Sequence, residues 1–491
     1  MKLKKEKIAH YNSLAAKRDE WRRKNDYYHQ KILSLLAFLI PENASVLDIG
    51  CGTGSLLAAL KPRKGVGVDF AEEMIKEAKT KYNPVEYPEL NFQEGDVEEL
   101  KIDDVFEYIV ISDVVGDLND VWKAFRKIRT VSDENSRIVI NYYNAMWEPI
   151  LTIAEKLGLK MPQPHQNWLA AGDIKNLLDL NGFEVIKEGQ GLLFPKSIPL
   201  ISNFLNSVFA NLPFIQNFGL TNYIVARKVS QPIAVEQHLS VTVLIPCRNE
   251  RGNIRSAIER VPDMGKHTEI LFVDGNSNDR TVEEIEKVIE EYSDKDIKLL
   301  HQIPPGSNMG SDNGLMLSLG KGDAVRKGFD AAQGDILMIL DADLTVPPEE
   351  LPRFYDALVE GKGDLINGTR LVYPMEKEAM RFLNILGNKF FSLFFSWILG
   401  QRIKDTLCGT KVLTKVSYQK IAKNRAFFGD FDPFGDFDLL FGAAKQNLKI
   451  IELPVHYKER TYGEIKIERF KHGLILLKMS LFALLKLKFR S

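Results

Sequence analysis

Short apolar runs recur along the chain: VLDI at Val46–Ile49, GVGVDF at 65–70, YIVIS at Tyr108–Ser112, YIVA at Tyr223–Ala226, VTVLIP at Val241–Pro246, ILFVD at Ile270–Asp274 and ILMIL at Ile336–Leu340. Each is rich in β-branched residues and too short for an amphipathic helix, so each predicts a buried strand. Between them lie stretches with helical periodicity, such as LLAAL and NIRSAIERV. Strand and helix alternating in this way predict α/β domains built on parallel sheets. The polar, proline-containing segment 229–239, VSQPIAVEQHL, separates YIVARK from VTVLIP and reads as a linker. The expectation is two α/β domains, 1–228 with an N-terminal helical lid over about 1–40, and 240–491.

Composition narrows the class. A chain of 491 residues accommodates two ordinary domains. Its 45% hydrophobic and 27% charged content is that of a folded globular protein. A formal net charge of −1 offers no general attraction to nucleic acid. Cys51, Cys247 and Cys408 lie far apart with no CxxC spacing, which predicts reduced thiols in a cytoplasmic protein and no zinc site. The charged N-terminus lacks the apolar core of a signal peptide. No apolar run reaches the roughly 20 residues that span a bilayer: Phe390–Leu399 is too short, and the stretch from Leu474 to Phe489 is broken by Lys478, Lys486 and Lys488.

In the first domain, Asp48 ends a strand, and Gly50, Gly52 and Gly54 follow at alternate positions before a helix. Such glycines let the backbone turn sharply and approach a ligand. Ser55 stands where a dinucleotide fingerprint would place its last glycine. Asp69 closes the next strand, about 20 residues on, where a carboxylate can accept ribose hydroxyls. Asp96 and Val97 lie just past a third strand, and Asp113 at the rim of a fourth. Residues 30 to 228 here resemble the class I S-adenosylmethionine-dependent methyltransferases, with a Rossmann-like sheet. The resemblance implies that Asp48, Gly50, Gly52 and Gly54 surround the methionine moiety, Asp69 the ribose, and Asp96 with Val97 the adenine. Methyl transfer needs mainly alignment of the nucleophile, and the methyl acceptor is not legible. Tyr11, Trp21, Tyr142, Tyr143 and Trp147 are aromatics for a lid, an acceptor pocket or simple packing. Segment 192–220, apolar and proline-punctuated, reads as a cap, a docking surface or a membrane-facing flap.

The second domain opens with VTVLIPCRNE, which carries Pro246, Asn249 and Glu250 into a loop, and continues with EILFVDGNSNDRT, whose Asp274 ends a strand. GKGDAVRKGF then supplies Lys321, and ILMILDADL delivers Asp341 and Asp343. Two carboxylates one residue apart suit a hard divalent cation, Mg²⁺ or Mn²⁺, bound to a diphosphate. In this order the motifs resemble family 2 glycosyltransferases of the GT-A fold over residues 240 to about 466. That resemblance implies a nucleotide-sugar donor, UDP- or GDP-linked, in a pocket formed by Pro246, Asn249, Glu250, Asp274, Lys321 and Asp341, with the metal on Asp341 and Asp343. DLINGTR, IKDTLCGTKVL and YKERTYGEIKI are similar to synthases that load a sugar onto a polyprenyl (dolichyl-type) phosphate. By this resemblance Arg370, Arg460 and Lys466 are phosphate-facing cations. Asp405 and Lys411 are equally explained as a structural pair.

Two departures from that family stand out. Thr345 occupies the place where lipid-phosphate synthases usually carry a glutamine, and the stretch Ile303–Gly320 is longer than the usual link. GDFDLL at Gly435–Leu440 resembles the catalytic segment of members that glycosylate hydroxyls, where Asp436 would be the general base. From Tyr457 to Ser491 nine Lys/Arg stand against three Glu, and Lys471, Lys478 and Lys486 form one stripe on a Leu/Phe-rich helix. This pattern fits an interfacial anchor on anionic lipid, or a helix packed on its own domain or on a second copy.

The expectation is therefore a bifunctional transferase, peripheral on the cytoplasmic face of a membrane. It would transfer methyl groups from S-adenosylmethionine, and sugar to a polyprenyl phosphate with inversion. The alternatives are a glycan or small-molecule hydroxyl as sugar acceptor, and one domain acting only as a binding or scaffold module. Oligomerisation is left open.

Overall fold

The computed structural model describes residues 2–164, 166–199, 201–229, 239–303, 320–370, 382–427, 436–460, 462 and 469–489, the side chains of 2–3, 382–390, 436 and 469–476 excepted. The chain divides into two compact units, Met1–Val229 with Lys488–Ser491, and Ser230–Leu487.

The first unit is built on seven strands: β1 (Ser45–Ile49), β2 (Lys64–Asp69), β3 (Leu90–Glu94), β4 (Tyr108–Ser112), β5 (Arg137–Tyr143), β6 (Phe183–Gly191) and β7 (Thr221–Lys228), ordered β3-β2-β1-β4-β5-β7-β6. β1 lies between β2 and β4, parallel to both, and is buried throughout. That is why its sequence, SVLDI, does not alternate apolar with polar residues; Asp48 is buried with the rest. The sheet is not wholly parallel as the alternation predicted, because β7 runs antiparallel to both β5 and β6. The connection 192–220 carries only short helical turns over its described residues, and the chain returns along β6 in place of making a full crossover. Two long helices, Lys2–Lys24 and Asp26–Leu39, precede the sheet. The second buries Tyr28, Ile32, Leu36 and Leu39 at helical spacing against β1 and its neighbours.

The second unit has its own seven strands: β8 (Ser240–Cys247), β9 (His267–Asp274), β10 (Asp296–His301), β11 (Ile336–Ile339), β12 (Leu365–Thr369), β13 (Lys411–Thr414) and β14 (Ile450–Pro454), ordered β10-β9-β8-β11-β13-β12-β14. Here β13 is the reversed strand, antiparallel to β11 and β12. In both units the parallel strands β1, β2 and β4, or β8, β9 and β11, end on the same edge. There the crevice outside their carboxyl ends collects the motif residues.

The C-terminal helix Arg469–Leu487 buries Met479, Ser480, Ala483 and Leu487, while Leu477, Lys478, Leu481, Leu485 and Lys486 are exposed. Its Lys486 ammonium also lies over the Phe427 ring. No helix among the described residues is long and apolar enough to cross a membrane.

Candidate functional site

Beyond β1 the backbone turns at Gly50 with φ 72°, and a Cβ there would run into the Val114 side chain, so only glycine fits. The turn aims the Gly52 amide at Asp69, whose Oδ2 accepts it at 2.9 Å while Oδ1 accepts the Ala71 amide at 2.9 Å. Gly50, Gly52, Asp69 and Asp113 line a cavity of about 260 Å³, closed by Tyr11, Arg18, Trp21, Arg22, Tyr28 and His29 of the N-terminal helices and by Leu151, Lys160 and Pro195. The expected helical lid is thus part of the cavity wall. Of the five aromatics singled out, Tyr11, Trp21 and Tyr143 line the cavity. Tyr142 belongs to the core, and the Trp147 indole donates to the Phe218 carbonyl at 2.9 Å.

Asp113 sits at φ 57°, and its carboxylate accepts the Tyr28 hydroxyl at 2.7 Å and the Asn141 amide at 2.9 Å. Asp117 accepts the Tyr11 hydroxyl at 2.8 Å. Asp117, Lys160, Tyr28 and His29 escaped the sequence reading, because the cavity gathers them from three separate segments. Burial dominates the titration of this site. It pushes Asp69 and Asp117 above the ordinary carboxylate range, Asp113 up to about 6, and Asp48 up to about 8, with Asp69 adding to the last. Burial also pulls His29 down to about 3, helped by Arg18 and Arg22, so the ring is neutral at pH 7. Asp48 is fully buried, and its Oδ2 has no hydrogen-bond partner among the described residues. Asp69, Asp113 and Asp117 share the cavity wall with Arg18, Arg22, Lys160 and Lys196, so the wall offers both signs of charge. A zwitterion bearing a sulfonium, an ammonium and a carboxylate fits such a wall.

Asp96 stands differently from its expected place against an adenine. Its Oδ1 accepts the Glu98 amide at 2.9 Å, capping the turn Val97–Glu99, and its Oδ2 pairs with Lys4. Asp48, Gly54, Asp96 and Val97 are not among the residues that line the cavity.

In the second unit, residues far apart in sequence converge beyond the ends of β8, β9 and β11. Pro246 pairs with Val273 in the β8–β9 ladder. Asn249, at φ 53°, bridges to the next loop by donating its amide to Ser277 Oγ at 2.9 Å and accepting the Asn278 amide at 2.8 Å. Asp274 accepts the Asn276 amide at 3.0 Å. Arg460 Nη2 donates to Glu250 Oε1 at 2.9 Å and to Asp343 Oδ2 at 3.2 Å. Lys321 Nζ lies 2.6 Å from Asp341 Oδ1. Burial pushes Asp341 up, but Lys321, with Lys411 and Arg370 further off, more than offsets this and holds it below the usual carboxylate range.

Arg370 grips Asp405 with a two-pronged fork, Nε at 2.7 Å and Nη2 at 2.8 Å. Asp405 is thus a partner of Arg370, while buried Lys411 donates to the Cys408 carbonyl at 2.5 Å. Thr345 is not a simple substitute for a metal-binding amide. Its hydroxyl and its own amide both donate to Asp343 Oδ1, at 2.9 and 3.2 Å, and so orient that carboxylate. Gly409 was not foreseen: a Cβ on it would strike Asp341 Oδ2 and Lys321 Nζ. The glycine inside DTLCGTK is the signal that could have marked this close approach. Among the described residues no group of three or more acidic, histidine or cysteine side chains is arranged to hold a metal. Asp341 and Asp343 supply two hard oxygen donors, which suits a cation that draws its other ligands from a diphosphate and water. Asp436 begins the helix Asp436–Lys445, but its side chain lies outside the described residues, as do Lys466 and most of Ile303–Gly320.

Comparison with known proteins gives a family match in each unit. Residues 20–188 match the family described as Methyltransferase domain, and residues 242–304 and 318–427 match Glycosyl transferase family 2. The chain therefore joins a methyltransferase domain to a family 2 glycosyltransferase domain, two transferase modules in one polypeptide. It is similar to the Dolichol-phosphate mannosyltransferase of Pyrococcus furiosus, 28% identical over 235 residues that cover 47% of this chain and 60% of that one. It is also similar to the Undecaprenyl-phosphate 4-deoxy-4-formamido-L-arabinose transferase of Edwardsiella ictaluri, 31% identical over 232 residues covering 46% and 62%. The chain thus spans about 60% of the length of these two relatives. Among solved structures, a SAM-dependent methyltransferase from Thermotoga maritima, a possible histamine N-methyltransferase, aligns at 16% identity with a TM-score of 0.36, over 44% of this chain and 98% of that one.

Proposed function

We propose that the second unit transfers a sugar from a nucleotide diphosphate donor to a polyprenyl phosphate at a membrane surface, and that the first unit transfers a methyl group from S-adenosylmethionine. The observation that carries the first part is the convergence of Glu250, Asp341 and Asp343 on Arg460 and Lys321 at the carboxyl ends of the parallel strands. The two similar transferases described above add to it, since the name of each includes a polyprenyl-type phosphate. Pro246, Asn249, Glu250 and Asp274 would hold the base and ribose, with Asp341 and Asp343 on Mg²⁺ or Mn²⁺. When bound, the cation neutralises charge on the departing diphosphate. Arg370, Arg460 and Lys466 would face phosphate, with Arg370 held in place by Asp405. The anionic acceptor needs no base, so Asp436 is dispensable in this reading.

In the first unit Asp69 would accept from the ribose, and Gly50 and Gly52 let the methionine part lie against the backbone. Asp96 and Val97 would reach an adenine only if Lys4 releases the Asp96 carboxylate. Bound S-adenosylmethionine supplies an electrophilic methyl group; the cavity aligns it with a nucleophile and excludes water. The basic C-terminal helix, with its exposed leucines beside Lys478 and Lys486, would rest on anionic lipid. Mass spectrometry of products from the full chain tests both activities, using short-chain polyprenyl phosphate, a panel of UDP- and GDP-sugars and S-adenosylmethionine. A sugar appearing only on hydroxyl acceptors overturns the lipid-phosphate reading, and the absence of any methylated product overturns the reading of the first unit.

A further inference from the structure

The first unit carries an apolar face that the reading above does not use. In the helix Glu148–Lys156 and its cap, Leu151 and Ala154 line the cavity, while Ile150, Ile153 and Leu157, spaced three and four apart, point the other way and are exposed, Leu157 by 67%. Phe204, Phe214 and Phe218, on the return between β6 and β7, are exposed too, Phe214 by 83%. The two segments are stitched together. The Trp147 indole donates to the Phe218 carbonyl at 2.9 Å, and the Asn144 amide donates to the carbonyls of Asn217 and Gly219.

A cationic edge closes the same face. Lys24 Nζ donates to the Gly158 carbonyl at 2.5 Å, at the far end of the first segment. Lys196 Nζ, in the second, donates to Asn25 Oδ1 at 2.9 Å. Both segments therefore meet the end of the first helix, whose last turn is Arg22, Arg23 and Lys24. Residues 1–25 carry nine Lys/Arg against three Asp/Glu, and 192–220 hold one lysine and no acid. Lys4 is paired with Asp96, Lys7 is buried and Arg18 and Arg22 line the cavity, so the cations at this edge are Arg23, Lys24 and Lys196, against Glu148 on the exposed helix. Exposed aromatic and aliphatic side chains with such a mainly positive border are the chemistry of a surface that rests on anionic lipid headgroups.

The geometry points to this face as a lipid-docking surface of the methyltransferase unit, built from other residues than the helix Arg469–Leu487. Its segments also form the cavity wall, through Leu151, Leu159, Lys160, Pro195 and Lys196. The methyl acceptor is then a molecule carried in the bilayer. The inference stands on the first unit alone and draws on the proposed sugar transfer only for the expectation that a membrane is nearby.

All three cysteines are buried, so a new surface cysteine takes a thiol-reactive label selectively. The test labels the full chain with an environment-sensitive fluorophore at Phe214→Cys, and as a control at Val85→Cys, which is 91% exposed elsewhere on the same unit. Vesicles of phosphatidylcholine doped with phosphatidylglycerol are compared with phosphatidylcholine alone and with brominated lipid. Expected are a blue shift and bromine quenching at position 214 on anionic vesicles and none at 85. The pair Ile153→Glu and Phe204→Glu should weaken vesicle binding by about tenfold or more. A protein on the vesicles whose 214 label stays in water overturns this inference while leaving anchoring by the C-terminal helix intact. A label already shielded without vesicles overturns it as well, by showing a protein cover. No vesicle binding at all sinks this inference together with the anchoring reading.

Discussion

Asp48→Asn should change the pH dependence of stability in a direction opposite to that of most carboxylate losses. The side chain is fully buried, its Oδ2 is unpartnered among the described residues, and burial with nearby Asp69 pushes its carboxyl from 3.8 up to about 8. Because the folded value lies above the unfolded one, the neutral acid's contribution is complete below about pH 4 and is lost as the pH rises through about 8. At about 1.36 kcal/mol per pH unit, holding the carboxyl neutral, or ionising it in place, opposes folding by at most about 4 kcal/mol at pH 7. Asparagine has nearly the same shape and no charge, so it removes this term. Four of the five tryptophans, Trp21, Trp122, Trp147 and Trp168, lie in the first unit, so tryptophan fluorescence in urea follows mainly that unit. The stability difference, variant minus wild type, should rise steadily between pH 4.5 and about 8 and flatten above; subtraction cancels the parallel contributions of Asp113 and Asp117, while Asp69, which acts on Asp48 directly, is part of the difference. A bound cation should also drive the proton off Asp48. Calorimetry of S-adenosylmethionine binding at pH 7 in buffers of different ionisation heat should then show release of up to about 0.9 proton by the wild type and much less by the variant. A difference curve independent of pH, with equal proton release in both proteins, would refute the argument that Asp48 is a neutral buried acid waiting for a positive ligand.

Gly409→Ala should push a methyl group into Asp341 and Lys321; sugar transfer is expected to fall by about a hundredfold, the scale of misplacing a reacting group by an ångström, while S-adenosylmethionine binding by the same protein stays unchanged. Transfer should require Mg²⁺ or Mn²⁺, and Asp343→Asn should lower turnover far more than it lowers fold stability; full wild-type activity in excess chelator would remove the metal role altogether. Asp436→Asn should leave transfer to a polyprenyl phosphate within a few-fold of wild type, whereas a loss of about 10²- to 10⁴-fold would mark a general base and a hydroxyl acceptor.

The apolar runs determined the strands by themselves, because a strand covered on both faces is apolar over most of its length and does not alternate, as in SVLDI and SVTVLIPC, where Asp48 is the buried exception. The strand-end motifs were legible for the same reason: a parallel sheet presents one edge to ligands, so Asp69, Glu250 and Asp341 announce themselves by position. The reversed strands β7 and β13 were not legible, since direction depends on how a connection returns and not on the strand's own pattern. Asp117, Lys160 and His29 reach the first cavity from segments with no shared motif. Only packing decided that Asp96 faces Lys4 and that Arg460 meets Glu250 across 210 residues of sequence. Local sequence sets what a side chain can do chemically. Which charges compensate one another, and which buried acid is left without a partner, depends on contacts that form only when distant segments fold together.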